Sequence, residues 1–466
     1  MTTESTGGST GMALAPRPVP GPVPAWSFPA GTEGTVPGGG PGTLRCDLPG
    51  RRLAAVRLVL NAGAGREPEG HDGVATLAAR ALLEGTEPGG GTALTAAFER
   101  LGASLYASAD LTALRIALDV PVTRLGAALE LFSSVVRRPA LADSDVRRLV
   151  RERLEEIAQD DADPGSRAMR ELRAVMFPGE ARASRPTGGL PASVEAIEGA
   201  AVRDFYSSVV PAEATAVVAG DLSGVDAEGA LNAALQGWTT SSSVLRTADT
   251  VAPTAGPRIV VVDRPGSVQT YLSIGHGVPD RSHPDWALLT VVSHVLGGGL
   301  TSRLNSVLRE EKGYTYGVRA GLLRMRHCGL FITQGAVHTE VTADAVADAL
   351  TELRGVSTRG IGEEECGSSV RALADRAPAE YETARSVAAE LADATANHLG
   401  PDYPSRYLAA VRAATPDNVA RAYAEHVDPE ALTVIAVGDA AQIVGPLEKL
   451  GYAPVTVSAA EAPEAG

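Results

Sequence analysis

The chain is expected to fold as two homologous α+β domains, each a mostly antiparallel sheet packed with helices. Three observations lead there. Its 466 residues exceed what one ordinary core organises. The segment FYSSVVPAEATAVVAGDLSG, beginning at Phe205, is echoed by AYAEHVDPEALTVIAVGDAA, beginning at Ala422. In both, a helix ends in tyrosine (Tyr206, Tyr423), a proline follows, and an alternating strand stops at Gly220-Asp221 or Gly438-Asp439. The offsets, 423 − 206 = 217 and 439 − 221 = 218, mark a duplicated domain and not a short solenoid repeat. Finally, strands cluster apart from helices in each half, which predicts helices packed on one sheet face.

Residues 1–40 are rich in Pro and Gly and are expected to form a flexible tail. The first domain is assigned to 41–238. RLAAVRLVLNAG reads as a strand, and DGVATLAARALLEGT (72–86) as a short amphipathic helix. Asp72 is its predicted N-cap, Val74, Leu77, Ala78, Ala81 and Leu82 recur at helical spacing, and Gly85 falls where a left-handed C-cap would sit. A helix over 94–101, a strand pair in SLYASADLTALRIALDV and helices over 122–201 follow. The low-complexity stretch 239–257 reads as a linker. In the second domain, 258–455, PRIVVVD and TYLSIGHGV are strands and 286–311 is mostly helix. YGVRAGLL and CGLFITQGAV are strands before a helical tract to 424. Residues 456–466 are expected to be a tail.

Composition excludes several function classes. A formal charge of −15 argues against nucleic acid and anionic membrane as partners. Cys46, Cys328 and Cys366 are far apart and form no C-x-x-C pair, so neither a disulfide framework nor a cysteine zinc site is expected. No apolar run reaches the roughly 18 residues needed to span a bilayer. The N-terminus lacks the basic start and apolar core of a signal peptide. A cytoplasmic protein is expected.

The surroundings of the first helix, REPEGHDGVATLAARALLEGT, resemble the zinc helix of the pitrilysin and mitochondrial-processing-peptidase family, whose H-x-x-E-H occupies its middle. Here those positions are Thr76, Ala79 and Arg80: a hydroxyl, a methyl and a permanent cation. The resemblance spans 51–451 and includes FPGEARASRPTGGLPASVEAIEGAAVRDFYSSVV and AATPDNVARAYAEHVDPEALTVIAVGD as further family signatures. It implies half of a clam-shell, two such units enclosing a peptide chamber. Catalytic zinc needs three protein ligands and an open position for water. The family's third ligand maps to Glu156, with Glu155 as the alternative register, and one carboxylate facing Arg80 will not hold zinc. Glu156 is otherwise a surface residue or an ion-pair partner of Arg80. His71, His276, His283, His294, His327, His338, His398 and His426 lack i, i+4 spacing beside a carboxylate motif. No metal is expected in this chain.

A second family element is well formed. GGGLTSRLNSVLREEKGYTYGVRAGLL (297–323) resembles the arginine–tyrosine element, which maps onto Arg309 and Tyr316, seven residues apart. Gly313 would stop the helix, and Tyr316 would open the next strand and point back towards Arg309. The resemblance implies that these two hold the substrate carbonyl and the oxyanion, with Gly298 and Gly299 in a loop near the substrate. A structural Arg and Tyr, and glycines that only permit a tight turn, are the competing readings. The triple glycine lacks the G-K-[ST] ending of a phosphate loop. Tyr106 stands where catalytic relatives carry Asn on a peptide-pairing edge strand. The chain is therefore expected to be inactive alone, the non-zinc subunit of a heterodimeric zinc metallopeptidase. A homologous H-x-x-E-H partner would carry the zinc, and the substrate would be peptide. The alternative is a catalytically inert scaffold or peptide-binding protein.

Overall fold

Strands LAAVRLVL in the first half and TVIAVG in the second are buried at nearly every position, and that sets the architecture. The structure is a computed structural model describing residues 26–87, 89–209, 213–238 and 256–458. The first sheet comprises β1 (Thr32–Thr35), β2 (Gly42–Asp47), β3 (Leu53–Leu60), β4 (Ser104–Ala109), β5 (Leu114–Pro121) and β6 (Ala214–Gly220). Its order is β1-β2-β6-β3-β5-β4, antiparallel except for β2 with β6. The second holds β7 (Arg258–Asp263), β8 (Gln269–Val278), β9 (Thr315–Arg324), β10 (Gly329–His338), β11 (Thr433–Gly438) and β12 (Val455–Ser458). Its order is β9-β10-β8-β11-β7-β12, with β7 parallel to both neighbours.

The path β4-β5-β3-β6-β2 recurs as β9-β10-β8-β11-β7, so the internal echo is a duplicated fold. Its Gly-Asp signatures do the same job twice. Asp221 Oδ2 accepts the Gly50 N–H at 2.8 Å, and Asp439 Oδ2 accepts the Gly266 N–H at 3.1 Å. Each carboxylate thereby ties a strand end to a turn of its own sheet.

Helices do not keep to one face, contrary to the expectation. Besides α1 (Val74–Ala81) and α2 (Asp143–Ala162), the first half supplies α3 (Pro164–Met176), and the second supplies α4 (Trp286–Gly297) and α5 (Ala384–Ala396). Ala168, Leu172 and Met176 of α3 pack on Val260, Val262, Ile435 and Val437 of the second sheet. Val387, Ala388 and Leu391 of α5 pack on Val59, Val217 and Ala219 of the first. Strands apolar on both faces need a second cover, and each half lends one helix to the other. The division at 238 and 258 therefore separates the sheets but not the helical layers.

Both predicted tails need correction as well. Trp26 stacks on Tyr381 at 5.9 Å, Phe28 is buried beside them, and β1 pairs with β2, so 26–40 is anchored to the fold although β1 itself is exposed. Aromatic burial here outweighs the Pro/Gly composition. At the other end β12 reaches Ser458 beside β7. Residues 1–25, 239–255 of the predicted linker and 459–466 lie outside the described residues. No helix among the described residues is long and apolar enough to cross a membrane.

Candidate functional site

Six of the eight residues of α1 are buried: Val74, Ala75, Leu77, Ala78, Ala79 and Ala81. The predicted Asp72 cap is not used. Gly73 occupies the N-cap at φ +104°, in the left-handed region that favours glycine. Glu67 caps the helix from outside, Oε1 accepting the N–H of Gly73 at 3.0 Å and of Ala75 at 2.9 Å. Asp72 pairs instead with Arg185, and with Arg182 at 3.3 Å. Arg182 also donates to Glu67 at 2.8 Å and to the carbonyls of Arg185, Pro186 and Thr187. The FPGEARASRPTGG signature is thus a brace that fixes the start of α1. Nor does Gly85 cap its end: the helix stops at Ala81 with Leu82 at the C-cap, three residues earlier.

Thr76 and Arg80, one turn apart, form the open stripe of α1. The Arg80 guanidinium donates twice to Glu156 on α2, at 2.8 and 2.7 Å. Arg153 donates to the same carboxylate at 3.0 Å. Arg80 in the first place holds the Glu156 carboxyl below the usual range, with Arg153 adding to it. Glu155 points to solvent, which selects Glu156 between the two registers. Thr76 Oγ1 donates to the Thr187 carbonyl at 3.3 Å, and Ala79 is a buried methyl. This donor set does not fit zinc: it has no imidazole, and its one carboxylate is gripped by two guanidiniums.

His283, Asp285 and His426 bring ligand atoms within 4.8 Å of one another. They do not fit a metal either. Asp285 receives two bonds from Arg421, at 2.7 and 3.2 Å, and one from His426 at 3.0 Å. His283 Nδ1 accepts the Asp285 N–H at 3.1 Å, leaving the proton of the neutral ring on the other nitrogen. The other histidines contribute no such cluster among the described residues.

In the second half, α4 runs into the glycine loop. A side chain on Gly297 would meet the Ala320 backbone nitrogen at 2.3 Å, and one on Gly298 the His294 ring at 2.4 Å. Close packing therefore explains both glycines, whereas Gly299 faces open space. Arg309 lies in a wide π-type turn, Asn305–Glu311, in which the Lys312 N–H reaches the Val307 carbonyl at 3.0 Å. Gly313, at φ +66°, ends it as predicted. Strand β9 opens with a bulge: Thr315 faces Val337 and Val318 faces Gly335, so Tyr316 and Gly317 oppose one residue. π-turns and bulges recur at functional sites. Tyr316 is 89% exposed, and the half-buried Arg309 pairs with its neighbour Glu310 at 3.2 Å. No hydrogen bond joins Arg309 to Tyr316 in the structure.

Sequence reading missed Asn305. Its buried amide donates to the Gly299 carbonyl at 3.0 Å and the Val318 carbonyl at 2.8 Å, and accepts the Val318 N–H at 2.8 Å. One side chain therefore ties the glycine loop to the bulge that carries Tyr316. The available signal was an amide between Leu304 and Leu308 in an apolar stripe. Tyr106 lies on β4, the outer edge of the first sheet, half-exposed under the Arg385 guanidinium at 5.7 Å.

Residues 46–186 match the family description "Insulinase (Peptidase family M16)", and 196–373 match "Peptidase M16 inactive domain". The chain belongs to peptidase family M16. A Mycobacterium tuberculosis protein named an uncharacterized zinc protease is 28% identical over 338 residues, covering 70% of this chain and 76% of that protein. A Streptomyces coelicolor protein of the same description is 26% identical, covering 72% and 74%. Among solved structures, an M16 inactive domain from Pseudomonas fluorescens matches at TM-score 0.79 and 22% identity, over 88% of this chain and 98% of that one. A protease from Helicobacter pylori matches at TM-score 0.80 and 17% identity, over 88% and 100%. These two likenesses concern the fold.

Proposed function

We propose that this chain is the non-zinc subunit of a two-chain M16 peptidase. A homologous partner bearing H-x-x-E-H would hold the zinc and its water. This chain would supply half of the peptide chamber, together with Arg309 and Tyr316 to grip the scissile carbonyl, with Gly299 in the loop beside them. The observation that carries this reading is the Arg80–Glu156 pair: a guanidinium sits at the carboxylate that would otherwise ligate metal.

The chemistry of the other half supports it. Peptide hydrolysis builds negative charge on the carbonyl oxygen, and one prepositioned donor is commonly worth ~10²–10³ in kcat. A guanidinium stays charged and a phenol donates while neutral. Neither Arg309 nor Tyr316 is spent on the interior of this chain, since Tyr316 is exposed and Arg309 meets only an exposed neighbour. The absence of a bond between them favours the second reading, an inert scaffold or peptide-binding protein. Three free, buried cysteines fit a reducing compartment, and the cytoplasm is the location we carry forward.

The test is to purify the chain alone and with an H-x-x-E-H homologue, measuring bound zinc and cleavage of unstructured peptides. Expected are a metal-free, inactive single chain and an active pair. Robust zinc-dependent hydrolysis by this chain alone would refute the reading.

A further inference from the structure

A cavity of about 470 Å³ lies where α2, α3 and residues 186–189 meet the second sheet. Ser166, Met169, Arg170 and Arg173 line it from one helical face of α3. Arg153 and Ile157 face it from α2, and Tyr271 and Gln334 from the sheet.

Each acidic group on the wall is engaged. Asp160 lies 3.5 Å from Arg153, Asp161 pairs with Arg170, and Asp163 Oδ2 accepts the Ser166 N–H at 2.7 Å as the cap of α3. Arg173 is different. Its Nε is buried with no hydrogen-bond partner, and no ion pair reaches its guanidinium among the described residues. Desolvation, and then repulsion from Arg182, pull its pKa down. A largely buried guanidinium whose Nε has no partner is unfavourable for folding, and a carboxylate meeting its planar fork would relieve it.

We propose that this cavity is a carboxylate-binding site in which Arg173 receives the anion. Gln334 and Tyr271 offer neutral hydrogen bonds, while Met169 and Ile157 leave an apolar wall for a short aliphatic body. The volume suits a ligand of small-molecule size. The carboxylate comes from a free small acid or from the C-terminus of a short peptide, which present the same group. The site does not depend on the two-chain reading, because an inert scaffold could carry it equally.

The full chain would be titrated with the dipeptide Ala-Ala, its C-terminal amide, and succinate, following heat by calorimetry. The expected result is saturable binding of the dipeptide, with the amide at least about tenfold weaker. Comparable binding of succinate assigns the site to free small acids, and its failure to bind assigns the site to peptide ends. Arg173→Met should lose binding at least about tenfold yet raise the Tm of the unliganded chain, because it removes a part-buried cation with no ion-pair partner among the described residues. Arg173→Lys keeps charge and stem but not the fork, and should fold and bind more weakly. The proposal is overturned if acid and amide bind alike, if neither carboxylate binds, or if Arg173→Lys binds unchanged. A lower Tm for Arg173→Met would also overturn it, by giving Arg173 a structural role.

Discussion

Arg80 and Glu156 are joined by two short hydrogen bonds, so the carboxylate's cationic neighbour is a side chain of the same chain. Both side chains are about a third or more exposed, so Arg80→Ala should lower stability by only ~0.5–1 kcal/mol, read as a small fall in the denaturation midpoint. The double change Thr76→His with Arg80→His places two imidazoles at i and i+4 beside Glu156. It should bind zinc in a chelator-competition assay, yet hydrolyse nothing, because Ala79 supplies no base. Failure to bind zinc would mean that more than these side chains has been lost. Asp285 gives a pH signature. Arg421 first, then His426, hold its pKa below the ordinary aspartate range. Its stabilising contribution is therefore present above the unfolded-state pKa and lost as pH falls through the lower folded-state value. Asp285→Asn should flatten the acid limb of the stability curve below about pH 4, measured by denaturation against pH. At this scale the resemblance placed Thr76, Ala79 and Arg80 and left Glu156 or Glu155 open, a choice made by the two bonds from Arg80 to Glu156. Sequence reading misplaced the Asp72 cap because Glu67 and Arg182, one of them over a hundred residues away, compete for the same helix start.

Elements carry the next level of the account. Asn305 holds the glycine loop and the Tyr316 bulge in one geometry, and its buried bonds resist loss. Asn305→Ala should cost about 2 kcal/mol in chemical denaturation, leaving carbonyl and N–H groups of Val318 unpaired. Phe28→Ala should cost roughly 3–4 kcal/mol; a neutral result would return 26–40 to the status of a tail. Strands and helices were legible here because alternation and helical spacing are local. The exchange of α3 and α5 was not, because nothing local says which sheet an apolar helix face will cover. The apolar continuity of AAVRLVL did signal two buried faces, and the reading of a single helical layer overlooked it. Asn305 escaped notice for a related reason: a polar residue in an apolar stripe looks like a defect until its partners, thirteen residues on, are in place.

The whole molecule is two copies of one sheet, cross-covered by each other's helices and pinned together by ion pairs. Asp393 on α5 receives Arg115 from the first sheet at 3.4 Å, together with Arg281 and, at 3.5 Å, Arg324 from the second half. The halves should therefore unfold as one cooperative unit, with calorimetric and van't Hoff enthalpies in agreement. Tyr316, near the start of β9, is exposed on the surface of this body. The duplication was readable from the Gly-Asp echoes, whereas the exposure of Tyr316 and the pairing of Arg309 with Glu310 depend on tertiary contacts that local spacing does not set. The most direct measurement is kcat of the assembled pair carrying Arg309→Ala or Tyr316→Phe here, with assembly checked by sedimentation. A loss of roughly 10²–10³ in kcat at intact assembly is expected. Unchanged turnover in both variants would contradict the account.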